Sequence, residues 1–169
     1  MPSVVKTPTK AVSAPRVGAY SWNEADLAVG AGYATVTGDP DTVSVSEDLI
    51  LTECTGGTVP PGATPASVEV TFTRAAYPAD GLSPVTTEEV CLVVGGSVVA
   101  ASAQGDEDGW PSPGNAAPVT FTFAATNLTP AQLNAPGFGF AVAARLVGGE
   151  GTGIAPVAYV TDPKVKINY

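Results

Sequence analysis

Val68-Glu69-Val70-Thr71-Phe72-Thr73 puts three apolar side chains on one side of an extended backbone and three polar ones on the other. That two-residue period is the mark of a half-buried strand. Val119, Phe121 and Phe123 repeat it against Thr120 and Thr122, and Phe138, Phe140, Val142, Ala144 and Leu146 against smaller residues and Arg145. Near the end of the chain Val165, Ile167 and Tyr169 oppose Lys164, Lys166 and Asn168, and Pro163 in the same run calls for an edge position or a bulge. Upstream, Val43, Val45, Leu49 and Leu51 share one parity against Ser44, Ser46, Asp48 and Thr52, with Ile50 alone out of step. Segments that bury one face and wet the other belong to antiparallel sheets.

Between these runs lie turn signals. Val90 to Val94 is continuously apolar, and Gly95-Gly96 then turns the chain into Ser97, because paired glycines accept the positive φ of a type I′ hairpin. One short helix is expected: Thr129 caps it, Pro130 opens it, Ala131 to Asn134 complete a single turn, and Pro136-Gly137 stops it. Seven or eight strands make the expected fold all-β, an antiparallel two-sheet sandwich, jelly-roll-like, with that one helical turn and an extended N-terminal arm. The expected core holds Val68, Val70, Phe72, Phe121, Phe123, Phe138 and Phe140.

Length and composition agree. At 169 residues the chain fits one domain, and 19 glycines with 16 prolines make about a fifth of it, against about 12% in average proteins. Long helices are excluded on that count, and 44% hydrophobic residues exclude general disorder. The sequence contains no histidine, which removes Ser-His-Asp and Cys-His catalysis and every histidine metal site. Cys54 and Cys91 are too few for a four-cysteine zinc site and are read as two buried or half-buried thiols, with a disulfide between them left open.

The net charge of −9 is unevenly spread. Lys6, Lys10 and Arg16 are the only charged side chains before Glu24, and residues 21–169 hold four bases against sixteen acids. Such a body is repelled by nucleic acid and by anionic membranes, so neither is an expected partner. No apolar signal-peptide region and no membrane-length tract is present, so folding in a cytoplasm is expected. Pro2, Pro8 and Pro15 favour an extended path through residues 1–20. This segment reads either as a frayed terminus or as a basic arm that adds a strand to a neighbour, with Val4 and Val5 in surface pockets and Lys6, Lys10 and Arg16 against the neighbour's carboxylates. Residues 21–169 form the expected single sandwich domain.

Candidate chemistry is sparse. Asp106-Glu107-Asp108 between Gly105 and Gly109 is the densest acidic cluster, but its spacing matches no EF-hand loop, and a solvated loop is the simpler reading. No nucleophile–base pair can be nominated, so no catalytic residue, metal or cofactor is expected. Trp22 and Trp110 stand beside polar residues. They either seal the ends of the core or, if exposed, stack on sugars as in a carbohydrate-binding module.

Several short segments together resemble a β-sandwich family of virion proteins from tailed bacteriophages. They are Ser21-Trp22-Asn23, Tyr33-Ala34, Val59-Pro60-Pro61-Gly62-Ala63-Thr64 before Val68-Glu69-Val70, and Leu133-Asn134 before Gly137-Phe138-Gly139-Phe140, with a valine-rich last strand ending in Tyr169. Pro65 and Ser67 depart from the pattern. The resemblance covers about residues 21–169 and implies a structural role in the virion. That role is a capsid decoration protein bound to the major capsid protein or another virion protein, in homo-oligomeric form. The alternative is a tail or head-fibre module that contacts host glycans through Trp22 or Trp110.

Overall fold

The computed structural model describes residues 1–78, 84–149 and 153–169. Thirteen strands are present among them. They are β1 (Ser3–Thr7), β2 (Lys10–Ala14), β3 (Ala34–Thr37), β4 (Val43–Val45), β5 (Asp48–Thr52), β6 (Thr55–Gly56), β7 (Ser67–Tyr77), β8 (Val85–Val94), β9 (Ser97–Val98), β10 (Gln104–Asp106), β11 (Ala117–Ala124), β12 (Gly139–Val147) and β13 (Val157–Asn168). The single α-helical turn, α1 (Pro130–Asn134), carries the expected cap: Thr129 and Gln132 form a reciprocal capping box.

The strands form two antiparallel sheets. Sheet A runs β11-β7-β13-β1-β6, with β3 also on β13, and sheet B runs β10-β8-β12-β5-β2, with β4 on β12 and β9 on β8. Both sheets are built the same way around one long central strand. β13 is lined by β7 along one edge, while β3 and β1 share the other. β12 is lined by β8 along one edge, while β5 and β4 share the other. Each central strand also changes register once, between Thr161 and Lys164 in β13 and between Ala143 and Ala144 in β12. The first of these is a bulge that absorbs Pro163, whose missing N–H a central strand could not otherwise carry, with Asp162 before it at a φ of 51°.

The expected core residues are all buried and meet between the sheets. Phe72 of sheet A lies 6.1 Å from Phe140 of sheet B, 6.1 Å from Phe121 and 6.5 Å from Trp110, ring centroid to centroid. The Gly95-Gly96 hairpin joins β8 to β9 with φ of 62° and 80°. Neither glycine would have a crowded Cβ, so the requirement there is conformational. Gly139 differs: a Cβ would run into the Leu51 carbonyl of the adjoining strand, so the close approach of β12 to β5 needs the glycine.

Two expectations change. The run from Val43 to Thr52 is two strands, because Ser46 and Glu47 add a phase break. Leu49 and Leu51 point into the core, but Val43 points out and Ser44 and Ser46 point in. The buried Ser46 hydroxyl accepts from Ala144 N at 2.8 Å, and Ser46 N donates to Ala144 O at 2.9 Å, which satisfies the polar group inside.

The N-terminal segment is extended, as expected, but its partners are strands of the same chain. β1 pairs with β13 from Ser3↔Asn168 to Lys6↔Val165, and β2 pairs with β5 from Lys10↔Thr52 to Ala14↔Asp48. Pro8 lies where the chain passes from one sheet to the other. A boundary at residue 20 therefore cuts through both sheets rather than separating an arm from a body. The physical reason is plain. Without these strands, half of β13 and the outer edge of β5 would carry unpaired backbone groups next to buried Ile167 and Leu51.

Candidate functional site

The residues expected to reach a neighbour are occupied within the chain. Val4 packs on the core and only Val5 of the pair faces out. Lys6 shares the inward face with Val165 and is 5% exposed, so it cannot face a partner's carboxylate. Lys10 Nζ donates to Glu53 Oε1 at 2.9 Å. Arg16 lies on the outside of sheet B, 2.7 Å from Glu89 Oε1 and 3.7 Å from Asp48 Oδ1. The acids that Lys10 and Arg16 meet, Glu53, Asp48 and Glu89, belong to the same chain.

Trp22 and Trp110 are 4% and 3% exposed and close the core, which corrects any role in sugar stacking. Each indole N–H is satisfied, Trp22 by the Glu47 carbonyl at 2.7 Å and Trp110 by Thr87 Oγ1 at 3.1 Å. Trp110 belongs to a polar network that the sequence did not reveal. Arg74, inward-facing and buried in β7, donates to Thr87 Oγ1 at 2.8 Å and to both carboxylate oxygens of Asp106, at 3.0 and 2.8 Å. Its guanidinium also sits 5.8 Å from the Trp110 ring centroid. This network ties β7 of sheet A to β8 and β10 of sheet B, and it takes up the one carboxylate of the acidic cluster that points inward.

The thiols are chemically quiet. Cys54 and Cys91 are unpaired. Burial pushes the Cys54 thiol up to about 11, against a smaller opposing effect of Lys6. Burial pushes Cys91 up to about 11 too, with Glu89 and Asp48 adding and Arg16 opposing. A thiol that stays protonated near neutrality is a poor nucleophile. Among the described residues no three His, Cys, Asp or Glu side chains group as metal ligands. A depression of ≈ 460 Å³, open to solvent, lies between residues 16–20 and β4 and is also lined by Glu88.

Four of the short segments singled out in the sequence meet in pairs. Asn23 exchanges two backbone hydrogen bonds with Thr35, at 2.7 and 3.1 Å, which anchors Ser21-Trp22-Asn23 beside Tyr33-Ala34. Asn134 holds the Val59 backbone with both ends of its amide, accepting from N at 3.0 Å and donating to O at 2.9 Å. Val59, Leu133, Phe138 and Phe140 are all buried.

No family model and no curated protein matches the chain. Among solved structures, one described as "CBM4 structure and function" is similar at 15% identity, with a TM-score of 0.46, over 98% of this chain and 94% of that one. Two crystal structures of cyclases from Fischerella sp. TAU are similar at 14% identity, with TM-scores of 0.38 and 0.37, over 98% of this chain and 84% of theirs.

Proposed function

We propose that the chain is a structural protein of a tailed-phage virion, a decoration subunit that binds the outside of the head and stabilises it. In this reading the two sheets form a jelly-roll-like sandwich. The observation that supports it is the spatial pairing of the family-like segments: Ser21-Trp22-Asn23 held beside Tyr33-Ala34 through the adjoining Thr35, and Val59 on Asn134. These segments act as fasteners of a rigid body, which is what a coat subunit needs. The partner is the major capsid protein or another virion protein, with copies of the chain in lateral contact on a particle assembled in the host cytoplasm. The acidic body disfavours nucleic acid and anionic membrane as partners. The protein works without catalysis or cofactor, its inward-facing cluster carboxylate being neutralised by Arg74 and its thiols held protonated.

Quantitative mass spectrometry of gradient-purified particles, followed by electron-microscopy reconstruction, tests this. On the order of hundreds of copies arrayed symmetrically over the head are expected. Absence from particles, or a handful of copies confined to the tail, would overturn it.

A further inference from the structure

The outer face of sheet A carries an aromatic line that no local stretch of sequence displays. β3, β13 and β7 lie side by side, with Tyr159 opposite Thr35 on one flank and opposite Ala75 on the other. Tyr77 opposes Val157, two residues along β13 from Tyr159. Tyr33 stands one residue before Ala34, which opposes Val160, so it falls two residues the other way. Tyr33, Tyr159 and Tyr77 therefore form a diagonal across three adjacent strands. With strands about 4.8 Å apart and two residues rising about 6.7 Å, each step is about 8 Å and the line spans about 16 Å.

The rings are available. Tyr77 is 54% exposed, Tyr33 is 37% exposed, and Tyr159 is half-buried. Tyr33 and Tyr159 meet edge to face, with centroids 5.9 Å apart. The line is also held in place: Thr161 Oγ1 donates to the Gly32 carbonyl at 2.6 Å, and the Asn23–Thr35 pair fixes the residues on the other side of Tyr33.

The surroundings indicate the occupant. The other outward positions of these strand stretches are Thr35, Thr37, Thr73 and Val157, with Ala75 and Thr161 outward but buried; none is charged, and the nearest exposed carboxylate along β13, Asp162, follows Thr161 at the bulge. On a chain of net charge −9, a neutral stretch of rings and hydroxyls does not match a basic protein, a nucleic acid or a phosphate. It matches a neutral polyol, whose C–H faces lie on aromatic rings and whose hydroxyls exchange hydrogen bonds with threonines and tyrosines. A straight line several rings long fits a linear chain better than a single sugar. We propose that Tyr33, Tyr159 and Tyr77 form a ledge that binds a neutral, linear oligosaccharide. The ledge is independent of the virion reading, since particle copy number does not depend on it.

The test is calorimetric titration of the full chain with cellohexaose, xylohexaose and mannohexaose, and with polygalacturonate as an anionic polymer. Saturable binding of at least one neutral hexasaccharide is expected, weakened at least about tenfold by Tyr77→Ala with an unchanged melting temperature. Tyr77→Trp should retain binding. So should Tyr20→Ala, which removes a tyrosine of similar exposure next to sheet B. No saturable binding of any of the three up to about 10 mM would overturn the proposal. So would equal loss in Tyr20→Ala, or polygalacturonate binding as tightly as the neutral sugars. A change of oligomeric state in Tyr77→Ala without sugar binding would assign the ledge to a second copy instead.

Discussion

The two sheets share one core but differ on their outer faces. Sheet A is open and polar over much of its face, with Glu69, Thr71, Thr73, Thr120, Thr122, Lys164 and Lys166 outward. Sheet B is closed. Every residue of β12 from Gly139 to Ala144 is buried, and the outward side chains Cys91, Val93, Ala141 and Ala143 are shielded as fully as the core. Ala141 stands between Cys91 and Ile50, Ile50 stands next to Val12 of β2, and Arg16 bridges Glu89 and Asp48 at one end of the row. The difference teaches where the N-terminal segment matters: it completes both sheets, and in sheet B its Val12 and Arg16 also flank the shielded row.

Removing residues 2–17 should break both sheets at once. It strips one of the two partners from half of β13 and from β5, and cooperative melting followed by circular dichroism should be lost altogether. Next in size, one charge placed on each face separates them. Ala141→Asp buries an unpaired carboxylate and should cost about 3 kcal/mol or more, whereas Thr122→Asp on sheet A, solvated but opposite Glu69, should cost no more than about 1 kcal/mol in urea titrations. Arg16→Ala, whose pairs are part exposed, should cost about 0.5–1 kcal/mol, less at high salt.

The smallest effects concern pH, and they run in opposite directions on the two faces. The Asn168 amide and then the Lys166 ammonium hold Glu69 of sheet A below its ordinary 4.5. Its contribution is therefore present above pH 4.5 and lost as pH falls through the lowered value. Burial holds Asp48 of sheet B above its ordinary 3.8, Arg16 opposing and Glu89 and Glu47 adding. Its contribution is full below 3.8 and lost as pH rises through the raised value. Melting temperatures against pH should thus show Glu69→Gln flattening the acid limb. Asp48→Asn should gain on the native chain as pH rises above 3.8.

The same contrast explains what the sequence reveals. β7 and β11 alternate cleanly because one face is wet, so their core residues were legible, as were the capped turn of α1 and the glycine hairpin. Over residues 90–93 of β8 and 139–144 of β12 both faces are dry, and only residue size marks which side is core. The N-terminal strands were misread because Lys6 sits on an inward position beside Val4, so β1 shows no apolar-inward period. Trp22 and Trp110 have polar neighbours in sequence, yet carbonyl and hydroxyl partners let their indoles go inside. The Arg74–Asp106 network and the tyrosine line depend on strand register between distant segments, which no short window contains.

Cys91 offers the most direct test that the middle of sheet B is shielded from outside. Native-state labelling with a thiol reagent at pH 8.5, resolved by peptide mass, can be followed against denaturant, with Thr122→Cys as a reporter on sheet A. Cys91, 2% exposed, should label only at the rate of global unfolding and follow its denaturant dependence, while the sheet A thiol labels at once. Fast, denaturant-independent labelling of Cys91 in the folded chain would contradict the account.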